Sequence, residues 1–314
     1  MIKYWLSAFR LHTLPLSISG ILMGNLAVYA QFSSQSSITN RFLVIAILSV
    51  LTGILLQILS NLANDYGDFV HGADSDKRIG PKRTVQSGAI SANLMKKAIV
   101  TFIILSLISG SALLLVSLKN TGILPVLIFF FIGIAAIWAA YSYTAAKKPF
   151  GYKGWGDFFV FVFFGLAAVW GTYYLQTGNI SLIVLLPACA IGCFSSAVLN
   201  LNNIRDIQND KESGKITIAV RLGEKGAKWY HFGLLITGCI LMIIFNRLIF
   251  TTVLQYIVSL AFLCLFILNG ALVLWNKNPQ KYYPLLKQLS VSVLINVLAF
   301  GGCILVLWRF VCVS

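Results

Sequence analysis

Acidic residues are scarce in this chain of 314: nine Asp and Glu stand against 24 Lys and Arg, and charged residues of both signs make up only 11%. So little charge beside 58% hydrophobic residues and a mean hydropathy of +0.85 excludes both a soluble globular enzyme and a disordered polyelectrolyte. Histidine is nearly absent, at three residues. The six cysteines (positions 189, 193, 239, 264, 303 and 312) form no CxxC pair, which leaves no zinc motif and no disulfide framework to expect. Cys189 and Cys193, four apart, read as small polarizable packing residues. No alternating polar and apolar pattern of the outer-membrane barrel kind occurs. The longest polar loops, 64–97 and 202–228, are too short for a soluble domain.

What fills the chain is apolar sequence in lengths that cross about 30 Å of hydrocarbon. Nine such stretches are legible, over 13–32, 42–63, 98–118, 121–142, 158–177, 180–201, 229–246, 248–275 and 288–308. Lipid satisfies no free backbone group, so each is expected to be a helix. The expectation is an all-α polytopic membrane protein, one membrane-embedded domain over residues 1–314. The N-terminal run is too long for the apolar core of a signal peptide and reads as the first span.

A net charge of +15 invites a nucleic-acid reading, but its distribution removes it. The N-terminus and loops 64–97, 143–157, 202–228 and 275–287 carry 20 of the Lys and Arg, and the intervening loops and C-terminus only Arg41, Lys119, Arg247 and Arg309. This is the positive-inside pattern of nine crossings, with the N-terminus cytoplasmic and the C-terminus outside. Partners are therefore a lipid bilayer and an anionic small substrate, not nucleic acid. Localisation in the cell's inner (plasma) membrane follows, with the acidic loops on the cytoplasmic side.

The few carboxylates are concentrated: eight of the nine lie in loops 64–97 and 202–228. The first run is Asn61-Leu62-Ala63-Asn64-Asp65-Tyr66-Gly67-Asp68, followed by Asp74 and Asp76. The second is Asn202-Asn203-Ile204-Arg205-Asp206-Ile207-Gln208-Asn209-Asp210, with Glu212 behind it. Asp65 and Asp68 at i, i+3, and Asp206 and Asp210 at i, i+4, each share a helix face if the flanking helices continue through them. Grouped carboxylates at the ends of apolar helices are costly unless they hold cations, and two facing pairs suit Mg²⁺, with positions left for water and phosphate oxygens. The competing reading, solvated loop charges balancing nearby lysines, would scatter the acids; only Asp157 and Glu224 stand apart from the two runs.

Both acidic loops follow a span ending in Asn and lead through a turn into a basic segment, and they lie four spans apart. A degenerate repeat of two four-helix units plus one helix would bring them to one central cavity. Candidate diphosphate ligands are Asn61, Asn64, Lys82, Arg83, Lys147, Asn202, Arg205 and Lys215, with Tyr143 four residues before Lys147. Arg10 is a candidate for an acceptor carboxylate or the diphosphate. His71 is expected in a solvated loop and His231 at an interface; His12 is a modest candidate for the acceptor site.

These motifs resemble the UbiA-type intramembrane prenyltransferases. The resemblance rests on Asn64-Asp65-x-x-Asp68 with a later Asp74, Asp206-x-x-x-Asp210 four spans on, and Tyr143-x-x-x-Lys147, and it covers nearly the whole chain. Arg10-Leu11-His12-Thr13-Leu14-Pro15, Gly80-Pro81-Lys82-Arg83-Thr84-Val85-Gln86-Ser87-Gly88 and Asn202-Asn203-Ile204-Arg205-Asp206 look like its branch acting on 1,4-dihydroxy-2-naphthoate in menaquinone synthesis. Asp74 stands six residues after Asp68 rather than four, which sets its ligand role apart from that of Asp65 and Asp68. The resemblance implies Mg²⁺-dependent transfer of a polyprenyl chain from its diphosphate to that naphthoate with loss of CO₂, giving a demethylmenaquinone. The same fold would serve 4-hydroxybenzoate or homogentisate as acceptor. A secondary transporter, the main reading of another class, predicts acids deep within spans rather than clustered at one face beside Lys and Arg.

Overall fold

The computed structural model describes residues 1–32, 39–72 and 83–305. Among these it contains helices and turns and no strand, and nine helical segments are long and apolar enough to cross a membrane. The first crossing is composite: α1 (Ile2–Phe9) and α2 (Leu14–Phe32) are joined by Arg10 in left-handed conformation (φ 49°, ψ 59°) and one 3₁₀ turn, Leu11–Thr13. Then come α3 (Asn40–Val70), α4 (Ala92–Thr121) and α5 (Ile123–Ser142). The fifth crossing starts as α6 (Gly156–Val160), winds as a π-helix over Phe161–Gly171 and ends as α7 (Thr172–Thr177). The rest is α8 (Leu185–Arg205), the short α9 (Ile207–Glu212), α10 (Ile218–Ile249), α11 (Val253–Trp275) and α12 (Tyr282–Leu305).

Side-chain caps start the long helices where polar sequence gives way to apolar. Thr39, Ser91, Thr217 and Thr252 each accept a backbone N–H from three residues on, and Gln255 completes a capping box with Thr252. The largest departure from the sequence-based spans is the seventh. Expected as the shortest, over 229–246, it is the longest helix, because α10 continues through Arg221, Glu224, Lys225 and Lys228 on the loop side. It breaks only at Gly223 (φ 67°, ψ 171°), a conformation that glycine adopts without strain.

α2 to α5 form one group of four crossings, and the fifth crossing with α8, α10 and α11 forms the other. α12, the ninth, packs on both α2 and α8. α8 is the central post, buried along nearly its whole length, and its Phe194 ring stacks on Phe266 at 4.0 Å. Packing in lipid depends on close approach rather than on escape from water. A Cβ on Gly165 would stand 2.5 Å from the Ala188 carbonyl oxygen and 2.7 Å from the Gly192 Cα, so the π segment and α8 meet backbone to backbone. Polar pairs add bridges between helices: His231 lies between Ala197 O (3.3 Å) and Asn269 Oδ1 (3.1 Å), and Gln176 donates to Asn25 (2.7 Å). His231 is thus fully buried between helices, not at an interface.

Candidate active site

The helix of Asp65 and Asp68 does not stop where its apolar sequence stops. α3 runs on to Val70, so both carboxylates project from one continuous helix, as their spacing predicts. Gly67 between them lets this helix approach a neighbouring turn closely. A Cβ there would lie 2.4 Å from the carbonyl carbon of Thr144 and 2.6 Å from Ala145 N, so α3 abuts the turn that follows α5. Thr144 fastens the contact, donating to Ala63 O (3.2 Å) and Asn64 Oδ1 (2.9 Å). On the other side the helix ends at Arg205, and Asp206 caps the junction with α9. The Asp210 N–H still donates to Asp206 O at 2.8 Å, so one helical turn keeps this pair together.

All four carboxylates are buried, and each has a partner of its own. Asp65 Oδ2 accepts from the Thr84 hydroxyl (2.6 Å) and N–H (3.2 Å). Asp68 pairs with Arg83 and accepts from the Tyr152 hydroxyl at 3.0 Å. Asp206 receives a fork from Arg205, through Nε at 2.8 Å and Nη2 at 2.6 Å. Asp210 faces Lys215 at 3.5 Å. Two carboxylate oxygens, Asp65 Oδ1 and Asp210 Oδ2, are buried with no hydrogen-bond partner among the described residues. Such oxygens carry a desolvation cost that a bound cation would remove.

Burial pushes the Asp210 carboxyl up to about 6; Lys215 opposes the rise, and the charges of Asp206 and Asp68 add to it. For Lys215 burial acts downward, yet Asp210, Asp68 and Tyr143 together hold its ammonium above the ordinary lysine range. Lys215 therefore sits between the two acidic clusters and feels both. Burial also pushes the Tyr143 hydroxyl up to about 12.

A cavity of about 410 Å³ runs from these charges into the helix bundle. Of the residues singled out in the sequence, Arg10, Asn61, Asn64, Asp68, Arg83, Tyr143, Asn202, Arg205 and Lys215 line it. Asp65, Asp206 and Asp210 stand behind that wall. Asn61 turns its amide to Phe9 O (2.9 Å) and Thr13 Oγ1 (3.0 Å), so it braces the Arg10 turn. Lys147 is exposed and away from the cavity, because α5 ends at Ser142 and the expected helical step from Tyr143 is lost in a turn. Asp74 and Lys82 lie outside the described residues. His71 is half-buried rather than solvated, its Nδ1 2.9 Å from Gly67 O and its ring against Tyr152. Asp157 is buried at the start of α6 and accepts from the Tyr230 hydroxyl at 3.3 Å.

Two contributors went unassigned in the sequence. Thr84 lies in the Gly80–Gly88 segment that carried the resemblance, directly after Arg83, and that adjacency was its only signal. Tyr152 had none: it sits in a 3₁₀ turn, Phe150–Lys153, bonding Asp68, while its carbonyl accepts from Ile216 N (2.9 Å) and Lys215 stands 5.7 Å over its ring. It links the loop between the fourth and fifth crossings to both acidic clusters.

Away from the charges the cavity follows α3 down to Ser49, with Ser49, Thr52, Gln57 and Ser60 on that wall and mainly apolar side chains of α4, α5 and the fifth crossing around it. From Asp68 to Ser49, at about 1.5 Å per residue, it reaches about 28 Å along the helix. Aromatic pairs bridge α5 to the fifth crossing at both ends, Trp138 with Phe159 near the acidic loops and Phe129 with Tyr174 at the far end. Between these bridges the cavity is flanked by Gly133, Ile134 and Phe163, and Ile134 is exposed at the rim.

A charged, oxygen-rich head joined to a long apolar slot fits a diphosphate ester of a hydrocarbon chain. The comparisons agree. The profile of the UbiA prenyltransferase family matches residues 17–291. A 1,4-dihydroxy-2-naphthoate octaprenyltransferase of Haemophilus influenzae is 40% identical over 305 residues, covering 97% of this chain and 96% of that one. Its namesake in Escherichia coli is 37% identical with the same coverage. Among solved structures, the apo UbiA homologue from Aeropyrum pernix superposes with a TM-score of 0.62 at 17% identity, over 95% of this chain and 97% of the other. The UbiA homologue from Archaeoglobus fulgidus bound to DMAPP and Mg²⁺ gives 0.59 at 16% identity, over 96% and 99%. This chain belongs to the UbiA prenyltransferase family and is an intramembrane prenyltransferase.

Proposed function

We propose that the enzyme transfers a polyprenyl chain from its diphosphate to 1,4-dihydroxy-2-naphthoate with loss of the carboxyl group, a step of menaquinone synthesis at the cytoplasmic face of the plasma membrane. The observation that carries this is the cavity itself, in which Arg83, Arg205, Lys215 and Asp68 line one end and the other is a slot between α3 and the mainly apolar side chains of α4, α5 and the fifth crossing. The relatives' names supply the acceptor.

Asp65, Asp68, Asp206 and Asp210 would hold Mg²⁺, which when bound neutralises diphosphate oxygens and stabilises the leaving group. The fit rests on the two unpartnered carboxylate oxygens, Asp65 Oδ1 and Asp210 Oδ2, and on an all-oxygen donor set. Among the described residues no three His, Cys, Asp or Glu side chains converge on one point, so substrate oxygens and water would complete each coordination shell. Arg83 and Lys215 neutralise the remaining negative charge, Arg83 with a planar fork suited to phosphate. Buried between carboxylates, Lys215 stays protonated at neutral pH and acts as a fixed positive charge.

The allylic C–O bond breaks with its electron pair leaving on the diphosphate. Phe159 and Phe163, which line the cavity on the fifth crossing, supply aromatic rings near which a developing carbocation is stabilised. The ring carbon bearing the carboxylate attacks, and the electron pair of the bond to that carboxylate returns to the ring as CO₂ departs. The product is the hydroquinone form of a demethylmenaquinone. No protein base has to remove a ring proton, in keeping with a site built from carboxylates, cations and amides. Supplying membranes with farnesyl diphosphate and carboxyl-labelled 1,4-dihydroxy-2-naphthoate tests the reading: one CO₂ is expected for each prenylated product. Prenylated product that keeps the label would remove the decarboxylation, and turnover with 4-hydroxybenzoate alone would change the acceptor.

A further inference from the structure

The deep end of the slot has a closed floor and a thin side wall. On the floor, Leu113, Leu114 and Leu175 pack with Ile45, and Phe129 packs against them. At the same depth Gln176 donates to Asn25 Oδ1 (2.7 Å) and to the Phe42 carbonyl (3.0 Å), while the Asn25 amide donates to Ile21 O (2.9 Å). These bonds tie α2, α3 and α7 together, so the floor is held by buried polar pairs as well as by packing. The side wall is different. Where α2 passes α3 the slot is lined by Ile21 and Gly53. A Cβ on Gly53 would meet the tip of the Ile21 side chain and no group of any other described helix within 4 Å. The chain neighbours of this pair, Leu22 and Ile54, line a second cavity of about 570 Å³, a groove between α2 and α3 walled also by Leu26, Tyr29, Ala46 and Val50. Ile47 and Leu51 on the groove are 66% and 44% exposed, so it opens to the lipid side. At Gly53 the partition between slot and groove is the Ile21 side chain.

Length decides what this partition does. Gly53 lies about 22 Å along α3 from Asp68, and the slot ends about 28 Å from it. An extended chain advances about 1.2 Å per bond, so a four-bond isoprene unit covers about 5 Å and eight units about 38 Å. Four units stop short of Gly53, and eight overrun the floor by about 10 Å. A chain that left at the Ile134 rim, only about 12 Å along α5 from Ser142, would leave the deep half of the slot without packing partners. We propose that the groove takes the distal units of long prenyl chains, and that Ile21 lying on Gly53 is the gate they displace to pass between α2 and α3. Glycine supplies the gap, and a single isoleucine closes it by a side-chain torsion rather than by backbone packing. The inference rests on the prenyl-transfer reading above and adds to it the path and the residue pair that long chains need. Short chains never meet the gate, so the pair sets the response to chain length and not the chemistry.

The test compares farnesyl with octaprenyl diphosphate as donor to the full chain in lipid nanodiscs. The acceptor is 1,4-dihydroxy-2-naphthoate, or 4-hydroxybenzoate should that be the one turned over. Ile21→Trp, which blocks the passage, should lower kcat/KM for octaprenyl diphosphate about tenfold or more and leave that for farnesyl diphosphate within about twofold. Gly53→Leu, closing the same gap from α3, should give the same split. Farnesyl turnover reports that each variant is folded. Ile21→Ala should leave both donors within about twofold, and Ile134→Trp at the rim should not separate them. Equal loss with both donors, or full octaprenyl turnover in Ile21→Trp and Gly53→Leu, would overturn the gate and leave the groove to bilayer lipid. A split at Ile134→Trp in place of Ile21→Trp, or a wild type that turns over farnesyl but not octaprenyl diphosphate, would overturn it as well. Each of these results keeps prenyl transfer itself. Wild type that transfers neither chain to any aromatic acceptor would remove the prenyl-transfer reading, and the gate with it.

Discussion

At the scale of single residues, the site is a set of buried charges, each neutralised by a neighbour and several shared. Asp65→Asn and Asp206→Asn should each lower prenyl transfer by about a hundredfold or more, the cost of removing one preorganised electrostatic group, with the membrane fold kept by size-exclusion profile. Tyr152→Phe removes one hydrogen bond to Asp68 and leaves the ring near Lys215. Its expected effect is a three- to tenfold rise, roughly, in the KM for prenyl diphosphate or Mg²⁺ with little change in kcat. Asp210 supplies the pH dependence. Burial raises it to about 6, so without metal the fold holds this proton over the window from the ordinary carboxylate value to about 6, and its contribution to stability falls as pH rises through that window. A cation entering below about pH 6 must displace the proton. The Mg²⁺ needed for half-maximal activity should therefore rise about fourfold between pH 7.5 and 5.5, measured by Mg²⁺ titration at both values.

Elements decide which sequence features reach the site. Asp65 and Asp68 could be placed from spacing alone because α3 stays helical through them, and Gly67 lets that helix lie against the turn at Thr144. Gly67→Ala would drive a methyl group into the Thr144 backbone, which cannot retreat as a side-chain tip can. It should cost about 1–3 kcal/mol of stability, read as a lowered melting temperature, together with activity as the two aspartates shift. Lys147 shows the converse. Its i, i+4 relation to Tyr143 presumes a helix, and the turn after Ser142 sends it outward. The spacing of two residues carries no information about where the helix between them ends. The π-helical winding of Phe161–Gly171 was likewise not legible, since a run of Phe, Val, Gly and Ala suits α and π hydrogen bonding alike. His231 was misplaced for a similar reason. A histidine inside an apolar span is stable when its ring nitrogens find polar neighbours, here Ala197 O and Asn269 Oδ1, and those partners come from other helices.

For the whole molecule, the nine crossings among the described residues and their grouping followed from hydropathy and from the distribution of Lys and Arg, because lipid leaves the backbone no alternative to helices. The meeting of the two acidic loops at one cavity followed from their spacing four spans apart. What lay beyond the sequence was the closure contributed by the first and last crossings. Nothing in Arg10-Leu11-His12 or in Tyr283-x-x-x-Lys287 indicates that α12 returns to the Leu11–Thr13 turn, yet Ser290 bonds the His12 carbonyl and Tyr283 meets the His12 ring. If the two acidic clusters act as a single metal-dependent site for prenyl transfer from within the membrane, turnover must follow the metal. The direct measurement is transfer from geranyl or farnesyl diphosphate to 1,4-dihydroxy-2-naphthoate in membranes carrying the wild-type protein, with Mg²⁺ or with EDTA. Product that forms with Mg²⁺, disappears with EDTA and returns when Mg²⁺ is added back is the predicted result. Equal product in EDTA, or none from folded protein with any aromatic acceptor, would contradict the claim.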